Sequence, residues 1–482
     1  MGGFSAVITT GIYCRPGCAA RPNPANVRHF ELAAAAEVAG YRPCMRCRPY
    51  RAADPQDRVA SEVVCRGIRR VVGEGVCDSE AEIARSLGLS ARHLRRLFQE
   101  QVGVTPAQLA RSSRAHFARR LLDDTDLPIT DIAFASGFGS VRQFNRTVSD
   151  IFRATPRELR ARRRVADRLV ADGGLPLRLS FAGALDWDAM LGYLSARAIT
   201  GVEHISGGVY RRAIVVDGDP GAIEVRRAAP DHLVVTAHLP HWGGLMHVVH
   251  QVRRLFNLDF DIDAANEALG RDPVLGGRIA SRLGLRVPGA WDAFEVGVRA
   301  IVGQQVTVAG AGTIIARLVA RHGIPVAGLS QFGLTHLFPA AEVLAEADLA
   351  GTGLTGARIA AIHSFAQAVA SGSLRLDRSR TLDDQVASMV AVPGCGPWTA
   401  HYVALRMGET DAFPSTDLGL RRSLEALTAG TVTPRKLGEM AQRWRPWRAH
   451  AAIHLWLTPG PADLRPLTSR NEVPQGSARS TG

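Results

Sequence analysis

Four thiols in two short-spaced pairs, Cys14-x3-Cys18 and Cys44-x2-Cys47, constrain this chain more than any other feature. Thiolates at these spacings suit one tetrahedral Zn2+ with four sulfur ligands; the alternative is a set of incidental buried thiols. The chain has seven cysteines, an odd number, which fits a reducing, cytoplasmic location and favours metal or reactive thiols over disulfides. Cys65, Cys77 and Cys395 read as small core or turn residues rather than ligands.

At 482 residues, three or four domains are expected. The formal net charge is +13 and the positive charge is almost all arginine, with Lys436 the single lysine among 58 basic residues. A GC-rich genome would explain the Arg/Lys ratio but not the net charge, which favours a polyanionic partner, most simply nucleic acid. No run of 18 apolar residues exists, and Met1 to Tyr13 has neither a basic start nor a long apolar stretch, so neither a membrane span nor a secretory signal is expected.

An internal repeat organises the next segment. Ile83-Ala84-x3-Gly88-Leu89 recurs as Ile132-Ala133-x3-Gly137-Phe138, and Leu94, Leu97, Phe98 and Thr105-Pro106 recur as Phe144, Thr147, Val148 and Thr155-Pro156. The offset moves from 49 to 50, so the second turn holds one more residue. Each copy predicts helix, glycine turn, helix, then a threonine N-cap with proline at the first helical position. The second helix of such a motif is the one laid in a major groove. Those helices are predicted over Ser90 to Gln101, presenting Arg92, His93, Arg95 and Arg96, and over Ser140 to Asp150, presenting Arg142, Gln143, Asn145 and Arg146. Arg, Gln and Asn pair bidentately with base edges; a helical bundle with a solvated basic face is the alternative. The segment resembles the AraC-type regulatory domain, which carries two such motifs joined by a helix.

Around the thiols, Thr9-Thr10-Gly11-Ile12-Tyr13-Cys14-Arg15-Pro16-Gly17-Cys18 and Tyr41-Arg42-Pro43-Cys44-Met45-Arg46-Cys47 resemble the N-terminal domain of the Ada adaptive-response proteins. The resemblance implies that Cys14 takes a methyl group from a DNA phosphotriester, with Zn2+ keeping the thiolate deprotonated yet nucleophilic. Arg15, Arg42, Arg46 and Arg48 are then candidates for holding the phosphate backbone. Only 13 residues precede Cys14, where that family has a helix-bearing segment, so a trimmed domain or a misassigned start is expected. There is no Pro-Cys-His-Arg run, so direct repair of O6-methylguanine is not expected.

After a soft stretch at Asp172-Gly173-Gly174-Leu175-Pro176, read as a linker, the pattern becomes strand-like from Leu177 to about Leu239, with a turn at Asp217-Gly218. From about Pro240 to Leu457 it is helical. In Val392-Pro393-Gly394-Cys395-Gly396-Pro397-Trp398, Gly394 and Gly396 allow close backbone approach, and Pro397 opens a helix whose free N–H groups suit a DNA phosphate. Asp417, heading an apolar helix, reads first as an N-cap. Together these segments resemble the helix-hairpin-helix glycosylase superfamily, whose matching aspartate is catalytic. Trp187, Met190-Leu191-Gly192-Tyr193, Arg299-Ala300-Ile301-Val302-Gly303-Gln304-Gln305, Arg445-Pro446-Trp447-Arg448 and Leu455-Trp456 narrow the resemblance to the AlkA type, 3-methyladenine DNA glycosylase II, over Leu177 to Leu457. That implies a base pocket of Tyr193, Trp398, Tyr402 and Trp456, with Gln305 as the wedge entering the DNA stack where a well-known relative has leucine. Trp398 stands where bifunctional members carry a catalytic lysine, so no lyase step is expected.

The expected fold is multidomain and mainly α with α+β parts. It comprises a zinc/methyl-acceptor domain (1–52), an AraC-type double helix-turn-helix (55–165), a strand-rich AlkA N-terminal domain with the start of the helical region (177–285), a helix-hairpin-helix glycosylase domain (286–460) and a disordered tail (461–482). The expected function is an Ada–AlkA fusion: methyl acceptor, transcription activator and monofunctional alkylbase glycosylase. Its partners would be alkylated and promoter double-stranded DNA, with RNA polymerase a candidate. One alternative is a regulator whose glycosylase half is an inactive DNA-binding module. Another is a glycosylase that its N-terminal parts merely tether to DNA.

Overall fold

A computed structural model describes residues 3–20, 22–51, 60–74, 79–164, 169 and 173–457 of the chain. Cys77, Asp172 of the expected linker and the expected disordered tail lie outside the described residues.

The first unit is a four-stranded sheet. Its strands β1 (Phe4–Val7), β2 (Ile12–Cys14), β3 (Val27–Phe30) and β4 (Arg42–Pro43) lie in the order β3-β1-β2-β4, covered by the alanine-rich α1 (Ala33–Val38). β2 and β4 pair in parallel, and the Cys44 amide donates to the Tyr13 carbonyl at 2.9 Å. That pairing sets Cys14, ending β2, beside Cys44, which follows β4.

Next come α2 (Glu62–Arg69), α3 (Glu80–Ser86), α4 (Ala91–Val102), α5 (Pro106–Asp124), α6 (Ile129–Ala135), α7 (Val141–Phe152) and α8 (Pro156–Ala161). Their starts follow from side-chain caps. Ser79, Thr105 and Thr155 form reciprocal capping boxes with Glu82, Gln108 and Glu158, and Ser90 and Ser140 cap α4 and α7. Gly88 (φ +71°) and Gly137 (φ +75°) make the two turns in the left-handed region. Residues 87–90 separate the first helix pair and residues 136–140 the second, which is the extra residue the repeat predicts.

An antiparallel sheet follows, β5 (Leu175–Ser180), then α9 (Trp187–Ser195), β6 (Glu203–Ser206), β7 (Val209–Val216), β8 (Asp219–Ala229) and β9 (His232–His238), in the order β5-β9-β8-β7-β6. Two expectations change here. Leu175-Pro176 belong to β5 rather than to a linker, because β5 pairs with β9 from Leu175 onward. The strand-like stretch also contains α9, where Trp187, Met190, Leu191 and Leu194 repeat at helical spacing and Asp186 caps the Ala189 amide.

The remainder is helical: α10 (Leu245–Leu255), α11 (Ile262–Gly270), α12 (Gly276–Ser281), α13 (Ala293–Val302) and α14 (Val308–His322). A short strand pair, β10 (Ile324–Pro325) with β11 (His336–Leu337), interrupts it. Then come α15 (Ala341–Glu346), α16 (Gly356–Ala370), α17 (Leu382–Val390), α18 (Pro397–Arg406), α19 (Leu418–Thr428), α20 (Pro434–Ala441) and α21 (Arg448–Leu457). One apolar core lies chiefly in α13–α17 and one face of α18. A larger one runs without a break from α5–α8 through the five-stranded sheet and α10–α12 to α19–α21. The helix-turn-helix half and the sheet-bearing half are thus packed together, and Arg66 and Arg70 of the former reach Ser379 O and Asp377 at 3.1 and 3.5 Å. Among the described residues, no helix is long and apolar enough to cross a membrane.

Candidate functional sites: a thiol cluster and an aromatic pocket

The Sγ atoms of Cys14, Cys18, Cys44 and Cys47 lie within 4.8 Å of one another. Thiolates this close repel one another unless a cation lies among them. Burial, then the Cys47 and Cys44 sulfurs, push the Cys14 thiol far up, and burial takes Cys47 up to about 12. Burial raises Cys44 too, but the N–H groups of Cys47 and Arg46 aimed at its sulfur outweigh that and carry it below the ordinary thiol value. One carboxylate-free set of four sulfurs at ligand spacing therefore fits Zn2+, whose charge would hold all four as thiolates. Cys14 is the most enclosed of the four at 7% exposure, and Cys18, Cys44 and Cys47 are half-buried. Arg15 and Arg46 beside them are exposed. Arg48 is not available to a phosphate as expected: it is 9% exposed and faces Asp123 of α5 at 3.8 Å. Cys65 and Cys395 are buried core residues, as their isolation in the sequence suggests.

This unit docks on α5, the helix between the two helix-turn-helix motifs. Tyr13 Oη donates to Glu37 at 2.7 Å, and His116 Nε2 lies 2.6 Å from the same carboxylate. Arg51 bonds Asp124 at 2.7 Å and Asp123 at 3.3 Å, and Tyr50 Oη donates to Asp123 at 3.0 Å. On α4, Arg92, His93, Arg95 and Arg96 are exposed, as are Arg142, Gln143, Asn145 and Arg146 on α7, while Leu94, Phe98, Phe144 and Val148 face inward. Arg95 and Arg96 are partly engaged, with Glu80 at 2.9 Å and Glu100 at 3.8 Å.

The second site is a cavity of about 530 Å3 where the two cores meet, lined by Tyr193, Trp398, Tyr402, Asp417 and Trp456 together with Arg197, Arg299 and Arg422. Side chains from α9, α18, α19 and α21 converge there. Asp417 caps α19, accepting the Leu420 amide at 2.8 Å, so the N-cap reading of this residue holds alongside any chemical one. Its two oxygens also accept the indole N–H groups of Trp398 and Trp456, each at 2.9 Å. Trp398 and Tyr402 stack with ring centroids 5.3 Å apart and planes within 11°. The pocket floor is polar: Tyr193 and Tyr402 hydroxyls lie 3.2 Å apart, and buried Arg406 donates to them at 3.2 and 3.0 Å. Burial raises Tyr402, but the charges of Arg406 and Arg197 outweigh it and bring the phenol down to about 8; burial drives Tyr193 up.

Gln305 sits exposed at φ +57° on the loop after α13. Its neighbour Gln304 donates to Gly394 O and Thr399 Oγ1, tying that loop to the glycine hairpin. Gly394 (φ +83°) is demanded by packing, since a Cβ there would meet Ala361 Cβ at 2.2 Å, whereas Gly396 faces open space at the N-terminus of α18. Lys436 lies on α20 and is not among the residues lining the pocket. Arg406 and Arg197 were missed by the sequence reading. For Arg406 the available signal was the one charged side chain of its helix, four residues after Tyr402.

Four family profiles match the chain in succession: the metal binding domain of Ada (3–50), a helix-turn-helix domain (83–162), the AlkA N-terminal domain (176–292) and the HhH-GPD superfamily base excision DNA repair protein (298–449). A Mycobacterium tuberculosis H37Rv protein named "Probable bifunctional transcriptional activator/DNA repair enzyme AlkA" is 41% identical over 461 residues, covering 94% of this chain and 92% of its own. The chain belongs to this family of bifunctional activator and repair proteins. Its C-terminal part is also 35% identical to the Escherichia coli K12 DNA-3-methyladenine glycosylase 2 over 290 residues, 58% of this chain and 97% of that one. A 3-methyladenine DNA-glycosylase from Archaeoglobus fulgidus shares its fold (TM-score 0.52, 23% identity, 58% of this chain and 97% of that one). For a member of this family, a regulator with an inactive glycosylase-like half is the less favoured reading, and the intact carboxylate-and-aromatic cavity argues the same way.

Proposed function

We propose that the chain combines three activities on DNA: methyl uptake from phosphotriesters at Cys14, operator binding through α4 and α7, and excision of alkylated purines in the aromatic cavity. Operator-bound, it would act as an activator touching RNA polymerase, in the cytoplasm. In the first activity the Cys14 sulfur attacks the methyl carbon; an S–C bond forms, the C–O bond breaks, and the phosphodiester leaves with the electron pair. Bound Zn2+ would be held by Cys14, Cys18, Cys44 and Cys47 and would keep the sulfur a thiolate at neutral pH. Exposed Arg15 and Arg46 are suited to hold the neighbouring phosphates.

In the third activity Gln305 fills the gap left as the nucleotide flips out, at a cost of a few kcal/mol. Gly394, Gly396 and the start of α18 grip the backbone. Tyr193, Trp398, Tyr402 and Trp456 surround the base, whose cationic ring is attracted to aromatic faces. The C1′–N bond breaks with its electrons passing to the purine, which becomes neutral. The Asp417 carboxylate faces the positive sugar and orients the water that adds to it. The observation that carries this reading is one carboxylate set among four aromatic side chains in a cavity of about 530 Å3. The pocket holds no lysine, so borohydride is expected to trap no DNA adduct.

The test is incubation with alkylated DNA, with released bases and protein mass measured in parallel. Asp417→Asn is expected to slow excision on the order of 10²–10³-fold with DNA affinity retained. The wild-type chain is expected to gain one methyl on the Cys14 peptide. Wild-type excision by Asp417→Asn, or methyl on another cysteine, would overturn the corresponding assignment.

A further inference from the structure

We infer that Trp398 and Trp456 are positioning residues for Asp417, holding its carboxylate through their indole N–H edges as well as offering their faces to the base. This rests on the reading of Asp417 as the catalytic carboxylate. The carboxylate accepts three fixed donors from three separate helices: Trp398 Nε1 of α18 on one oxygen, Trp456 Nε1 of α21 and the Leu420 amide of α19 on the other. An N-cap bond alone leaves a carboxylate free to turn about its own axis; two further donors on opposite oxygens fix its plane. An indole N–H is a donor only, so it pins an acceptor without competing as a base or receiving its proton.

Two independent features fit this role. Gly419 keeps the space clear: a Cβ there would lie 3.0 Å from Asp417 Oδ1 and 3.4 Å from Trp456 Cδ1. The cavity also contains a competitor for the carboxylate, since Arg422 lines the same wall and is exposed. A carboxylate released from the indoles could turn to an arginine and be neutralised there, away from the sugar. Trp398 is itself held, stacked on Tyr402, whose hydroxyl is anchored by Arg406. The clamp thus runs from the helix that the glycine hairpin opens to the reacting group.

The test uses the full chain with 3-benzothienylalanine in place of Trp398 or Trp456, which keeps the ring face and volume but puts sulfur where the N–H was. Single-turnover excision of 3-methyladenine is expected to fall on the order of 10–100-fold in each, with DNA Kd unchanged. Gly419→Ala is expected to show the same split. In 15N-indole spectra of the zinc-loaded chain, Asp417→Asn should move two of the seven tryptophan signals, those of Trp398 and Trp456. Wild-type rates in both N–H-free variants, or losses that track weaker binding, would overturn the inference. If Asp417→Asn is inactive while those variants are at wild-type rate, this inference alone falls; if Asp417→Asn is fully active, the underlying assignment falls with it.

Discussion

The thiol cluster and the aromatic pocket are built in opposite ways. All four sulfurs come from residues 14–47 of one small sheet, and a single parallel strand pair brings the two halves of the set together. The pocket draws Tyr193, Trp398, Asp417 and Trp456 from four helices, at the seam between two cores formed by distant parts of the chain. Where a site is local, the bound ion supplies the energy that orders it. Where it is assembled from afar, hydrophobic burial does, and the site inherits the stability of everything packed beneath it. The two should therefore fail separately, and under different insults.

The largest expected effect is metal loss. Structural Zn2+ on peptides of this kind contributes on the order of 10–16 kcal/mol of binding free energy that is also folding free energy. Chelation, or Cys44→Ser, is expected to abolish hydrogen-exchange protection across residues 4–43 and to release Tyr50 and Arg51 from Asp123 and Asp124 on α5. Excision of alkylated purines should persist at near its original rate. Parallel loss of excision would show that the two sites are one cooperative unit, which the shared core of the helix-turn-helix and the sheet makes a real contest.

The same contrast decides what could be read from the sequence. Thiol spacing, glycine turns and Thr-Pro caps act within a few residues, so the zinc unit and both helix-turn-helix copies were legible, down to the extra residue of the second turn. The strands around Asp217-Gly218 were legible from alternation. α9 was not legible as a helix because its neighbours on both sides alternate, and β10 and β11 are too short to leave a pattern. In the pocket, residue types could be named by resemblance, but not the bonds between them. Nothing local says that Asp417 meets two indoles, that Arg406 anchors two tyrosines, or that Arg48 turns toward α5 rather than toward DNA. Those are consequences of packing.

Acid should strike the pocket side through its last helix. His454 of α21 is 0% exposed, and its ring centroid lies 4.7 Å from that of His450. Burial, with Arg282 and Arg278 nearby, lowers His454 to about 4, and burial lowers His450 well below its ordinary value. A folded-state value below the unfolded one, roughly 6.5, means the unfolded chain binds the proton first. Stability is then fully present above about pH 6.5 and is lost as pH falls toward about 4, on the order of 3 kcal/mol for His454 alone. Urea unfolding followed by tryptophan fluorescence, at a series of pH values, reads this out. His454→Leu, of similar volume and with nothing to protonate, should flatten the acid limb. An unchanged acid limb in that variant would assign the sensitivity elsewhere.

The smallest effect expected is also the one that joins the two halves of the comparison. Four thiolates on Zn2+ carry a formal charge of −2, and converting the Cys14 thiolate to a thioether leaves −1. A negative cluster near the DNA backbone repels phosphates, so methylation should strengthen operator binding by on the order of 1–3 kcal/mol. The unit that carries this charge is bonded to α5 by the Tyr13–Glu37–His116 contacts and by Arg51, and α5 joins the two motifs that bear the reading helices. The charge is thus held at a fixed place relative to the helices proposed to read the operator. Being Coulombic, the gain should shrink as salt rises. Operator affinity measured for unmodified, Cys14-methylated and Cys14→Ser protein across a salt series separates this from a shape change, which would survive high salt. Equal affinities of the first two at low salt would rule out the switch and leave the zinc unit and the pocket as neighbours that share a chain but no signal.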